Sequence, residues 1–314
     1  MALETNAFNS FGAKGNREDL SDLIHNISPT ETPFMLAVRK TDASAVLHEW
    51  QTDALGSAST SNAVLEGDAI TNDASTATTR VSNTCQISDK VARVTGTQEV
   101  VSKAGRKSEL AYQMAKRAKE LKRDVESILL RNGAEVTGGT TTARQTAGIE
   151  AWIATNTDAA SDATDAAGTG NDARTEGTAR AFTESQLKAV LQAAWTAGGN
   201  PGVIMLGAFN KQQLSGFSGG STSFVDAKDK KLYASVDVYV GDFNTLRVVP
   251  NRFQNQSTAL VLDMDYWAMA SLRPFQSKEV ARTGDSTARQ LLVEYALESC
   301  NEAASGAVYD LTTS

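Results

Sequence analysis

The chain has 314 residues, 41% hydrophobic and 21% charged, with 6% aromatics and a formal net charge of −7. That length allows two domains, or one with long excursions, and the apolar content allows a core. The acidic balance argues against a dedicated nucleic-acid binder, and two distant cysteines, Cys85 and Cys300, without a Cys/His cluster argue against a disulfide framework or zinc site.

Residues 1–16 are rich in Ala, Asn and Gly and read as an arm; MALETNAFNSFGAKGN lacks the basic-then-apolar pattern of a signal peptide. Arg17 to Ile27 predicts a short amphipathic helix with Leu20, Leu23, Ile24 and Ile27 on one side. Ser28-Pro29 ends it and Pro33 follows, so SPTETPF is expected to be extended and to lead a Pro-fixed strand through Phe34–Val38. Such an arm must lie on another surface, its own domain or a neighbour. Removal of Met1–Asp42 is expected to leave a foldable core. No run approaches the roughly 20 apolar residues of a membrane span, so a soluble protein made in the cytoplasm is expected.

Val46–Thr52 and Lys90–Val101 alternate as strands do. The stretch between them is mostly Ala, Ser, Thr and Asn, too long for an ordinary loop. Two strands flanking it suggest an extended hairpin projecting from the body and ordered by another chain.

Gly105–Asn132 is the longest periodic segment. Leu110, Met114, Ala118, Leu121, Val125, Ile128 and Leu129 fall on one face of an expected helix roughly 40 Å long. Nine basic residues (Lys103, Arg106, Lys107, Lys116, Arg117, Lys119, Lys122, Arg123, Arg131) stand against Glu109, Glu120, Asp124 and Glu126. This stretch therefore carries an excess of five positive charges on an acidic chain. Its basic face is either solvated, with pairs such as Lys116–Glu120, or a dock for acidic segments of other subunits.

Beyond it, 133–146 is a connector, 148–154 returns to packing, and Thr155–Arg180 is a low-complexity loop, expected to be mobile unless a neighbour holds it. Thr183 and Gln186 form a capping box for a helix burying Leu187, Val190, Leu191 and Ala194, ended by Gly198-Gly199. Gly202–Gly207 reads as a buried strand, Ala208–Ser215 as a short helix and 216–230 as a polar loop. Strands follow at Tyr233–Val240, Leu246–Pro250, Ala259–Leu262 and Phe275–Ala281. Ala288–Cys300 and Ala303–Leu311 are expected to pair as a hairpin and to cover the long helix's stripe.

Catalytic chemistry finds little support. Gly216-Phe217-Ser218-Gly219-Gly220 matches a nucleophile elbow literally, but a helix precedes it, a loop follows, and no His lies downstream; the histidines are His25 and His48. Gly105-Arg106-Lys107-Ser108 lacks the first glycine of a phosphate loop. Asp263-Met264-Asp265 has no further ligands nearby and reads as a turn or solvated edge. His48 reads as a packed or hydrogen-bonded side chain. No catalytic, cofactor-binding or metal-binding residue is assigned, and no cofactor is expected.

The ordered elements resemble those of tailed-bacteriophage major capsid (major head) proteins with the Hong Kong ninety-seven-like fold, in their SU-ten-type branch. The residues carrying the resemblance are DLSDLIHNISPTETPF, HEWQTD, LEGDAI, NTCQIS, VTGTQE, GRKSELAYQMAKRAKELKRDVE and LLVEYALESCNEAA. It implies an α+β fold with an N-terminal arm (1–44), an extended loop (45–101), a peripheral domain with the spine helix (102–140 and 272–314) and an axial domain (141–271). It also implies hexamers and pentamers that form an icosahedral virion head around double-stranded DNA, assembled in the host cytoplasm. Implied partners are a separate scaffolding protein, a portal and decoration proteins, with packaged DNA nearby and no membrane. An encapsulin-like compartment is the alternative shell; a hydrolase built on the α+β unit lacks a nucleophile–base pair.

Overall fold

The spine helix, α3 (Glu109–Leu129), starts four residues later than its periodicity suggests. Gly105 adopts φ +72°, and Ser108 is extended, its hydroxyl accepting the Ala111 N–H at 3.1 Å. The Glu99 carboxylate takes the Glu109 and Leu110 amides at 3.0 and 3.2 Å. Three of the amides a helix start leaves without partners are thereby satisfied. At about 1.5 Å per residue α3 is roughly 31 Å long. Its second half is the buried one: Leu121, Val125 and Leu129 are in the core, while Leu110, Met114, Ala118 and Ile128 are half-buried. The computed structural model describes residues 29–67, 69, 72–103, 105–217 and 237–314, so the expected helix at Arg17–Ile27 lies outside the described residues.

α3 packs on a four-stranded sheet formed by β1 (Arg39–Asp42), β4 (Gln86–Thr95), β10 (Trp267–Val280) and β11 (Ser286–Ser299), in the order β1-β10-β11-β4. β11 does cover the spine stripe as expected, with Val293, Tyr295 and Leu297 in the same core as Leu121, Val125 and Leu129. The expected pairing of Ala288–Cys300 with Ala303–Leu311 does not occur. β11 pairs antiparallel with β10, across a turn at Gly284 (φ +77°), and with β4. The last strand, β12 (Gly306–Val308), leaves for a second sheet. Glu302 redirects the chain there by accepting the Ala154 and Thr155 amides, and Asn156 donates to the carbonyls of Ala303 and Ser305.

Two further expectations fail for related reasons. Phe34–Val38 is not a strand: Pro33–Ala37 form one helical turn, α1, whose Phe34 and Met35 amides point at the Glu126 carboxylate. A proline in a first turn and an anion at its end both favour that turn. The strand expected to run to Val101 stops at Thr95, whose hydroxyl caps a short helix, α2 (Gly96–Val100).

The second sheet holds β5 (Thr157–Asp158), β6 (Val203–Leu206), β7 (Val238–Val240), β8 (Thr245–Pro250) and β9 (Ala259–Leu262) together with β12, in the order β5-β12-β9-β6-β8-β7. α4 (Glu184–Thr196) has the capping box and all four buried positions read from sequence, and α5 (Ala208–Ser215) follows β6. Of the strand expected at Tyr233–Val240, Val238–Val240 falls among the described residues.

The low-complexity loop 155–180 is held by its own chain. Arg174, with a fully buried side chain, donates to both oxygens of Asp310 at 2.9 and 2.8 Å and lies 4.0 Å over the Tyr309 ring. Asp310, at φ +57°, also accepts the Ala160 and Gly177 amides. Burial works to raise the Asp310 carboxyl, but Arg174 and those amides hold it below its ordinary range.

Candidate assembly surfaces

The extended hairpin is built from β2 (Leu47–Thr52) and β3 (Thr79–Thr84), paired antiparallel from Leu47↔Thr84 to Thr52↔Thr79. β3 lies inside the stretch whose sequence reads as a polar excursion. Its TRVSNT alternates weakly, and its partner is set by register across the gap. The described residues between the two strands form no regular structure and are exposed, Leu55 completely so, with Val64 and Leu65 close behind.

The root of this projection is rigid. Trp50 donates its indole N–H to the Ser299 carbonyl at 2.8 Å and packs 5.5 Å from Trp152. Asn83 donates to the Leu297 carbonyl at 2.6 Å and accepts the Ala147 amide at 3.0 Å. His48 stands 3.2 Å from Glu298, which also accepts from Thr41 at 3.0 Å. The bond with His48, above all, brings the Glu298 carboxyl down to about 2 against the opposing effect of burial. A pinned root thus carries a solvated excursion with exposed apolar side chains.

Two other surfaces lack a cover among the described residues. At one end of the second sheet, Trp195 (56% exposed) stacks on Phe243 with ring centroids 5.1 Å apart, beside exposed Val238 and Val240 of the end strand β7. On the spine, Lys116, Lys119 and Lys122 face solvent. The expected Lys116–Glu120 pair is absent; Glu120 is held by Arg117 at 2.6 Å.

The sequence's chemical candidates have structural roles. His48 is the packed, hydrogen-bonded side chain expected. Asp263 caps a 3-10 turn by accepting the Asp265 amide, so the two carboxylates do not share a strand face. Arg106 pairs with Glu109, and Ser108 caps the spine. Ser218 and His25 lie outside the described residues. Among the described residues no group of three or more His, Cys, Asp or Glu side chains could hold a metal ion, and no helix is long and apolar enough to cross a membrane.

A family model described as SU10 major capsid protein matches residues 4–312. The chain belongs to the SU10 major capsid protein family. This is a family of structural capsid proteins, not of enzymes. A stretch of 123 residues is 38% identical to the major capsid protein of Escherichia phage Phieco32, covering 39% of this chain and 35% of that relative, so the match spans about a third of the relative's length. The Cyanophage A-1(L) capsid asymmetric unit superposes at a TM-score of 0.67 over 95% of this chain and 98% of that one, at 16% identity. A structure from Gordonia phage Cozz gives 0.61 over 95% and 92%, at 12% identity. The phage G structure of major capsid and decoration proteins gives 0.54 over 99% and 100%, at 10% identity. At such identities the likeness is one of fold, and the fold is the Hong Kong ninety-seven-like α+β capsid fold expected from the sequence.

Proposed function

We propose that this chain is the subunit of an icosahedral phage head, assembling as hexamers and pentamers around double-stranded DNA. The observation that carries this reading is the extended hairpin: a root held by Trp50, Asn83 and His48, and beyond it an excursion with three exposed apolar side chains, Leu55, Val64 and Leu65. A subunit with such a projection gains its remaining burial through shared interfaces. In the assembled shell residues 1–44 act as the arm, 45–101 as the extended loop, 102–140 with 272–314 as the peripheral domain and 141–271 as the axial domain. Residues 33–42 are an anchor that fixes the arm to its own spine, and β12 ties the tail to the axial sheet. Assembly takes place in the host cytoplasm with scaffolding, portal and decoration proteins as partners. The chain carries no enzymatic activity.

Electron microscopy of the purified protein tests this. Closed shells of genome-holding size are expected. Small shells loaded with an enzyme would make it an encapsulin-like compartment, and a soluble monomer or dimer under all assembly conditions would overturn both. Replacing residues 54–77 by a two-glycine turn is expected to leave thermal unfolding unchanged and to abolish closed shells.

A further inference from the structure

The charges of the spine helix do not cancel at its surface. Each of its acids is already engaged within the subunit: Glu109 by Arg106, Glu120 by Arg117, Asp124 by Lys90 at 2.7 Å, and Glu126 by the amides of α1. Lys116, Lys119 and Lys122 are exposed and make no ion pair among the described residues. At about 100° per residue they spread over one arc of roughly 120°, beside the exposed Ala111 and Ala115, with no free carboxylate on it. Their rise is about 4.5 Å per step, so three cations occupy about 9 Å of a rigid rod.

The spacing of these cations decides between partners. The acidic stretch of the extended loop holds Asp53, Glu66, Asp68 and Asp73 with no Lys or Arg among them. Laid out as a strand at about 3.3 Å per residue, such a segment would put Glu66 and Asp68 within the length of the lysine row and Asp73 about 16 Å beyond it. Duplex DNA carries one negative charge per roughly 1.7 Å of axis, dense enough to meet all three lysines at once. The small alanines beside the row let a duplex approach closely.

We infer that the Lys116–Lys119–Lys122 arc is a sequence-independent contact for duplex DNA, an inference that rests on reading the chain as a DNA-enclosing shell subunit. On a chain of net charge −7 the contact is weak, and it matters where DNA is crowded against the spine. Fluorescence anisotropy of the full-length protein with a labelled 20-base-pair duplex is the test, comparing wild type with K116Q/K119Q/K122Q. Three phosphate contacts predict a wild-type affinity falling roughly 40-fold between 50 and 200 mM monovalent salt, and a nearly flat response in the variant. The side chains are exposed, so both proteins are expected to unfold at the same temperature. Equal affinity and equal salt slope in the two proteins would overturn the inference. Stronger competition by a peptide of residues 53–78 than by unlabelled duplex would also overturn it, making the arc a dock for a second copy's loop. Electron microscopy of the same preparations separates the two claims. Equal duplex binding by the unassembled subunits, with closed shells once assembly is induced, sinks the DNA contact alone, whereas no shells from wild type sink the shell reading whatever the binding.

Discussion

Glu126→Ala is expected to detach the arm from the spine. The carboxylate is fully buried and accepts three hydrogen bonds: the Phe34 amide at 2.8 Å, the Met35 amide at 2.7 Å and the Asn251 side chain at 2.7 Å. Burial pushes its carboxyl up, and those donors with Lys40 pull against it. Removing the acceptor strands three donors, at about 1–3 kcal/mol for each one that stays buried. Part of that is offset because no charge has to be desolvated. A net loss of about 3 kcal/mol is the expectation, with roughly half of it for Glu126→Gln, which keeps one acceptor oxygen. Urea unfolding of the purified subunit measures the loss, and hydrogen exchange at Phe34 and Met35 shows whether it is local. A midpoint unchanged in Glu126→Ala would refute the reasoning. The same geometry corrects the expectation that Met1–Asp42 can be removed from a foldable core. Phe34, Met35 and Val38 are core residues and β1 pairs with β10. A cut after Asp42 is expected to open the core.

Glu150 gives a pH signature: burial raises its carboxyl to about 7, against smaller lowering by Thr258 and Arg174. A raised folded-state value stabilises fully below the unfolded value near 4.5, and that advantage is lost as pH rises through 7. Glu150→Gln is therefore expected to flatten the stability–pH profile between those limits and to be more stable at pH 8 by about 3 kcal/mol; parallel profiles would contradict this. Arg174→Ala leaves Asp310 buried without its cation, at a cost of about 3–5 kcal/mol, and should expose 155–180 to limited proteolysis; an unchanged digestion pattern would show that the pair does not hold the loop. Leu121→Asp places a charge at a core position of α3, so thermal unfolding of the isolated subunit should shift by several kcal/mol, and no shift would remove Leu121 from the core.

What the sequence disclosed and what it hid divide along the reach of the interactions involved. α4 was legible to its individual buried residues because its signals are local: a capping box at Thr183 and Gln186, period 3.6, and a glycine stop at Gly198. β6 and α5 followed from a short apolar run and its flanking glycine. The partner of β2 was hidden because β3 has little apolar alternation, and pairing across a long gap leaves no local trace. The tail hairpin was misread because a short gap normally means antiparallel neighbours. Here Glu302 and Asn156 use that gap to turn the chain toward another sheet. Arg174 and Asp310, 136 positions apart, sit in segments whose composition reads as loop and tail. Nothing near either residue predicts that each is the other's buried partner.

These hidden links share one chemistry. The segments that could leave the body add polar ties to what apolar burial they have. The arm anchor, the hairpin root and the 155–180 loop each include one carboxylate that gathers several donors. Glu126 holds α1, Glu298 holds Thr41 and His48, and Asp310 holds Arg174 and two amides. A hydrogen-bonded carboxylate fixes direction as well as proximity, which a small apolar contact does not. In the shell proposed above a subunit presents a loop and an arm to its neighbours, and direction is the property such assembly needs. Glu298 and Trp50 hold β2 against the end of β11, and that joint fixes the direction in which the hairpin leaves the body.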